Sequence, residues 1–291
     1  MGDGAHVGPT THVIFNQPYK VRPESESIEP PENYRDRHLP VEPNLPDKIN
    51  VWYVQRSGKE YGGVVSHAYG FTDSPDAEAL VLGLNRGKEF GAIGIGRHGN
   101  FLQWGYSAPP SQMTDSGKKL FINCICYIAK FNGKLPLVRR QGSPREDALS
   151  LGAVADRIKD EKFFPQTFGA ELSDDYKNNP DKIVQYYVEN FELVYRQFSN
   201  LEGGYRVDKE LKSLGISSNR KIATLEKLIE LLDDPEKSQA AKTALARYSD
   251  LSFETPEQWR QWLQQNRDRI FFSDFGGYKF FVTPEGYLTD K

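Results

Sequence analysis

The chain has 291 residues, 38% of them hydrophobic and 26% charged, with a net charge of −3. That is the make-up of a globular protein of one large or two modest domains, and no Lys/Arg block gives it the footprint of a nucleic-acid or anionic-membrane binder. The longest apolar run, Leu120 to Ala129, is too short for a membrane span, and "MGDGAHVGPTTHV" lacks the basic and apolar regions of a secretory signal.

The first stretch, residues 1–50, carries seven prolines between Pro18 and Pro46. Proline fixes φ and removes donors, so this segment is expected to be extended and irregular. It reads as a linker or as an arm wrapped over a domain, and Tyr19, Val21, Tyr34 and Leu39 favour the arm.

Residues 51–141 read as a compact α/β segment. "NVWYVQR" and "GGVVSHAYGF" have the β-branched and aromatic content of strands. "SPDAEALVLGLN" reads as a short helix with Ser74 as N-cap and Pro75 at its first position. "GAIGIG" and "FLQWGY" read as strands joined by a turn at Arg97-His98-Gly99-Asn100. Thr114 then caps a helix with Leu120, Phe121, Cys124, Ile125 and Ile128 as its apolar stripe, ended by Gly133. Cys124 and Cys126, the only cysteines, sit about 200° apart on that helix, so neither a disulfide nor a shared metal is expected.

Residues 142–291 read as mainly helical. "DKIVQYYVENFELVYRQF" places Ile183, Tyr187, Phe191, Val194 and Phe198 on one face. "NRKIATLEKLIELL" and "PEKSQAAKTALARY" form a helix pair around "DDP", with Asp234 as N-cap, which resembles one HEAT-type unit without a second copy. A helix capped by Thr255 and a closing hairpin in "FFSDFGGYKFFV" complete the chain.

Two motifs imitate known chemistry. Gly94, Gly96 and Gly99 match the spacing of a dinucleotide loop, which needs a helix after the last glycine; a strand and two prolines follow instead, and no cofactor is expected. Asp274-Phe275-Gly276 spells the kinase magnesium triplet, but the lysine and loops that would precede it are missing, so Asp274 is assigned to a turn. His67, with Asp73 nearby, is the best candidate for acid–base work, set against the reading of Asp73, Asp76 and Glu78 as turn and helix-start residues. Arg97, His98, Asn100, Gln103 and Trp104 gather at the hairpin tip, where they could bind a carbohydrate or an anion or serve as turn and core.

The segment from Gly91 to Arg140, with "GRHGNFLQWG" running into "MTDSGKKLFINCICYIAKF", resembles the closing hairpin and last helix of class I glutamine amidotransferase-like domains of the ThuA (trehalose-utilisation) kind. "THVIFNQPYKV" is similar to the stretch that precedes those final strands, and the C-terminal part resembles the helical tail of a group of bacterial proteins, many of them exported. The resemblance implies an incomplete flavodoxin-like, amidotransferase-like sheet followed by a mainly α-helical region with a terminal β-hairpin. It carries over no catalytic residue, because the β-α units holding that family's nucleophile have no counterpart before Val51. The chain is then a fragment of a longer protein or a minimal form without the site. The expected function is a non-catalytic accessory or interaction module that binds a carbohydrate or a protein; the alternative is an enzyme acting on a carbohydrate or related polar substrate through His67.

Overall fold

The computed structural model describes residues 1–42, 44–59, 62–158, 162–169, 172, 174–177, 179–197 and 204–288. The chain divides into two compact units, Met1–Leu137 with Gly286–Lys291, and Val138–Glu285. Both mix helices with small antiparallel sheets.

The first unit draws its outer strands from the proline-rich stretch. β1 (Gly4–His6) and β2 (Glu26–Ile28) flank β3 (Ile49–Tyr53) in an antiparallel sheet, with the short helix α1 (Asn33–Asp36) between β2 and β3. Proline confines regular pairing to short segments, but Ile14, Phe15, Val21 and Tyr34 are all buried. Asn123 fastens this stretch: its side-chain amide donates to Ile14 O and Tyr19 O (both 2.7 Å) and accepts from Tyr19 N (2.9 Å).

A second antiparallel sheet has the order β4 (Ala77–Leu82), β5 (Ile93–His98), β6 (Phe101–Trp104). The turn expected between β5 and β6 is present, with Gly99 at φ 56°. The helix expected over 74–85 is β4 instead. Its N-capping signals are spent elsewhere: Ser74 Oγ bonds Asp76 locally, Leu137 N donates to Asp76, and Glu78 pairs with Arg97. Pairing with β5 then overrides local propensity.

The strand expected over 62–71 is also corrected. This stretch makes only isolated bridges at Gly63 and Ser66, then a 3₁₀ turn over Ala68–Phe71. Gly63 has φ 156°, and a Cβ there would lie 1.9 Å from Gly105 O, so the chain crosses the sheet end rather than extending it.

Helix α2 (Asp115–Ala129) closes the unit, capped by Thr114 Oγ1 accepting from Gly117 N at 3.0 Å. Leu120, Cys124 and Tyr127 face Trp52, Val81 and Ile95 in one core. Ile125, expected on that stripe, is exposed, because the buried face centres on 120, 124, 127 and 131.

The second unit contains α3 (Glu146–Gly152), α4 (Phe163–Phe168), α5 (Pro180–Glu189), the hairpin β7 (Val194–Gln197) and β8 (Gly204–Val207), then α6 (Lys209–Ser213), α7 (Ile222–Glu230), α8 (Ser238–Tyr248), α9 (Pro256–Asn266) and the hairpin β9 (Ile270–Ser273) and β10 (Lys279–Val282). The long helix expected over 181–198 stops at Glu189, because Val194–Gln197 pairs with β8. Phe198, and Pro43 in the first unit, lie outside the described residues. α7 and α8 form the expected pair, though α8 starts at Ser238; the Asp234 carboxylate accepts from Glu236 N and lies 3.5 Å from the Lys237 ammonium. Thr255 caps α9 through a capping box with Gln258.

A buried ion pair orders this unit. Arg145, fully buried, donates to both oxygens of Asp274 (2.7 and 2.8 Å), to Phe191 O and to Asn219 Oδ1. Asp274 thus belongs to the turn between β9 and β10, as expected, with a partner 129 residues away.

Candidate functional site

The residues put forward from sequence as catalytic or binding candidates are all in the first unit, and the structure divides them. Side chains along β5 and β6 alternate between the two faces of the sheet. Arg97 and Trp104 point to the core face. Arg97 is buried, ion-paired with Glu78 (3.1 Å), donating to Gly99 O (2.9 Å) and lying 3.8 Å over the Phe131 ring. Trp104 packs against Phe121 at 4.9 Å. These two are core residues, which a two-residue alternation across the hairpin dictates.

His98 and Gln103 take the opposite face with Phe101. Gln103 is spent on the fold: Ser66 Oγ bonds its oxygen, and its amide donates to Ile93 O (2.9 Å). His98 Nε2 lies 3.5 Å from Asp76, and Asn100 occupies the turn. The five residues therefore form no single surface. Ser74, Asp76 and His98 do not form a nucleophilic triad either, since the hydroxyl bonds the carboxylate and not the imidazole.

His67 follows the crossing segment, and the carboxylate facing it is Glu89, with 2.8 Å from Nδ1 to Oε2; Asp73 does not supply that contact. Glu89 is buried, with a side chain 6% exposed against 39% for His67. Burial alone would push its carboxyl up, but the His67 hydrogen bond and charge hold it below the usual range. Tyr69 stacks flat on the imidazole, 4.9 Å between centroids and 10° between planes.

A second His/Glu pair adjoins the first: His38 Nδ1 lies 3.6 Å from Glu42, which also feels the charges of Glu89 and His67. Burial, reinforced by Glu89, pushes the Glu42 carboxyl above the usual range. One carboxyl raised beside one lowered is the pattern of an acid and base set apart by environment. With Nδ1 held by Glu89, Nε2 of His67 has no hydrogen-bond partner among the described residues. Sequence reasoning missed Glu89, Glu42 and Tyr69; Glu89 is 22 residues from His67 in a turn-forming stretch that carries no motif. Among the described residues no three His, Cys, Asp or Glu side chains are placed to hold a metal.

A cleft of about 880 Å³ opens elsewhere on the first unit, between β2, α1 and the turn after β4. Glu29, Glu32, Asn33, Asp36 and Asn85 line it, and none of the residues singled out from sequence does.

The remaining feature is the outer face of α2. Ile122 and Ile125 are 41% and 53% exposed, and Cys126 and Ala129 beside them are exposed as well. These positions follow i, i+3, i+4, i+7 and form an apolar stripe opposite the core stripe. The sequence shows that α2 is apolar on most sides, but which side lacks a partner depends on tertiary packing. Comparison with protein-family models, curated proteins and solved structures gives no match.

Proposed function

We propose that this chain is a non-catalytic accessory or interaction module that binds a protein partner through the exposed apolar face of α2. In this reading, segment 51–141 is related to ThuA-like domains of the class I glutamine amidotransferase type and keeps part of a flavodoxin-like sheet. The α7–α8 pair is a HEAT-like element. The order of hairpin, Thr114 cap and long helix supports the relationship.

The observation that carries the interaction reading is Ile122 and Ile125 standing exposed at helical spacing on a helix whose other face is already core. A helix apolar on both faces normally has cover on both. Cys126 supplies the test, because it is exposed while Cys124 is buried, its thiol pushed up to about 12 by burial. A thiol-linked photo-crosslinker on Cys126, irradiated in extract of the source cells, is expected to give one discrete adduct that disappears with Ile122→Asp/Ile125→Asp. Adducts indifferent to that substitution, or none, reject the reading.

The His67–Glu89 pair, with Tyr69 stacked on it and Glu42 adjacent, favours a second reading: an enzyme acting on a carbohydrate or related polar substrate, with His67 as the base. Thermal-shift measurements against sugars and sugar phosphates, on wild type and His67→Ala, separate the two. Stabilisation confined to wild type supports this second reading; equal shifts or none reject it.

A further inference from the structure

The charges around the α2 stripe specify its partner. α2 begins with Asp115, its one acidic residue, and carries Lys118 and Lys119 before the stripe, with Lys130 directly after it. The stretch 19–22 runs along one side of the helix, since Tyr19 bonds Asn123 and Ser116 Oγ bonds Arg22 O. It adds Lys20, Arg22 and the exposed ring of Tyr19. Lys118 lies 3.9 Å from Asp115, but Lys20, Arg22, Lys119 and Lys130 have no ion-pair partner among the described residues. In a chain of net charge −3, this apolar stripe has a locally cationic border.

We infer that this face docks the apolar side of an acidic amphipathic helix from a protein partner. The inference rests on the interaction reading above and adds the chemistry of the occupant. Ile122 to Ala129 spans about 10 Å along the helix axis, roughly two turns, which matches the i, i+3, i+4, i+7 anchors of a facing helix. Carboxylates on the borders of that helix would meet Lys119 and Lys130 and the cations of the 19–22 stretch. Such exposed pairs contribute modestly to affinity but strongly to partner choice and association rate.

A second copy of this chain suits the face poorly. Antiparallel α2 helices would set Lys118 and Lys119 against Lys130 of the other copy, and parallel ones would set each lysine against itself. An anionic bilayer would satisfy the charges, but the stripe offers two isoleucines, an alanine and a cysteine, flanked by the exposed Tyr19 and the half-buried Phe121. That is little apolar area for insertion.

The test uses two synthetic helical peptides with the same leucine stripe, one bordered by glutamates and one by lysines. Binding to the full chain is read by fluorescence anisotropy. The glutamate peptide is expected to bind wild type about tenfold more tightly than the lysine peptide, the combined effect of several exposed ion pairs. Lys119→Glu/Lys130→Glu should reverse the preference, and Ile122→Asp/Ile125→Asp should abolish binding of both, with the unfolding midpoint unchanged in each variant.

Equal affinity for the two peptides, lost on the isoleucine substitutions, overturns the acidic partner and leaves the interaction face standing. Failure of both peptides, together with no Cys126 adduct, overturns both. Binding to phosphatidylserine vesicles in place of the peptides, or self-association abolished by the isoleucine substitutions, assigns the face to a membrane or a second copy and likewise overturns the inference.

Discussion

Asp76 is fully buried, yet its carboxyl is held down at about 2, below its ordinary value of 3.8. Burial pushes it up, and the His98 imidazole 3.5 Å away together with hydrogen bonds from Ser74 and Leu137 N more than offset that. A carboxyl whose pKa falls on folding stabilises the fold above its unfolded value and loses that contribution as pH drops through the folded one. The first unit should therefore lose roughly 2 kcal/mol between about pH 5 and pH 2 from this group alone. Urea unfolding across that range should show an acid limb that is shallower in Asp76→Asn. In the second unit, Arg145→Met leaves Asp274 buried without its cation and should cost about 3–5 kcal/mol. Arg145→Lys should not rescue it, because a single ammonium cannot reach both Asp274 oxygens, Phe191 O and Asn219 together. Chemical denaturation of the three proteins measures this, and full stability in the lysine variant would refute the argument.

At the scale of elements, the β5–β6 hairpin and α2 are legible in the sequence because their signals are local. Gly99 supplies the turn, alternation supplies the strands, and Thr114 supplies the cap. β4 is not legible, because Ser74, Pro75 and the following acids imitate a helix start, and only the distant partners Arg97 and Leu137 reveal their use. The same limit governs the candidate site. His67 stands out by residue type, but Glu89 and Glu42 reach it through chain crossings that no periodicity encodes. Gly117 shows how strongly such packing binds an element. It lies in the first turns of α2, where alanine would gain about 1 kcal/mol of helix propensity. A Cβ there would lie 1.9 Å from Val54 O, a backbone atom that cannot swing away. Overpacking of this kind typically costs about 1–3 kcal/mol, so Gly117→Ala should be destabilising on balance despite its better propensity. An unfolding midpoint at or above wild type would show that α2 can shift away from β3.

For the molecule as a whole, the route of the chain matters. It leaves the first unit after Leu137 and comes back to it at Gly286. The returning Tyr287 is held by three groups of that unit. Its hydroxyl donates to Leu135 O and lies 3.4 Å from Asp76, its carbonyl accepts from Lys134 Nζ at 2.8 Å, and the same ammonium sits over its ring. Leu135 and Lys134 belong to the loop that presses on Gly99, where a Cβ would lie 2.6 Å from Pro136 N. Tyr287 thus braces the loop that supports the hairpin turn. Tyr287→Ala removes the ring, the hydroxyl and the cation–π contact together and should cost the first unit about 1–2 kcal/mol. Tyr287→Phe keeps the ring and should cost about half as much. Hydrogen exchange read by mass spectrometry localises the effect: amides of Arg97–Trp104 should exchange faster in Tyr287→Ala, while those of α7 and α8 keep wild-type protection. Unchanged protection of the hairpin would mean that the tail rests on the first unit without stabilising it. The Asp76 hydrogen bonds would then have to hold the turn without help from Tyr287.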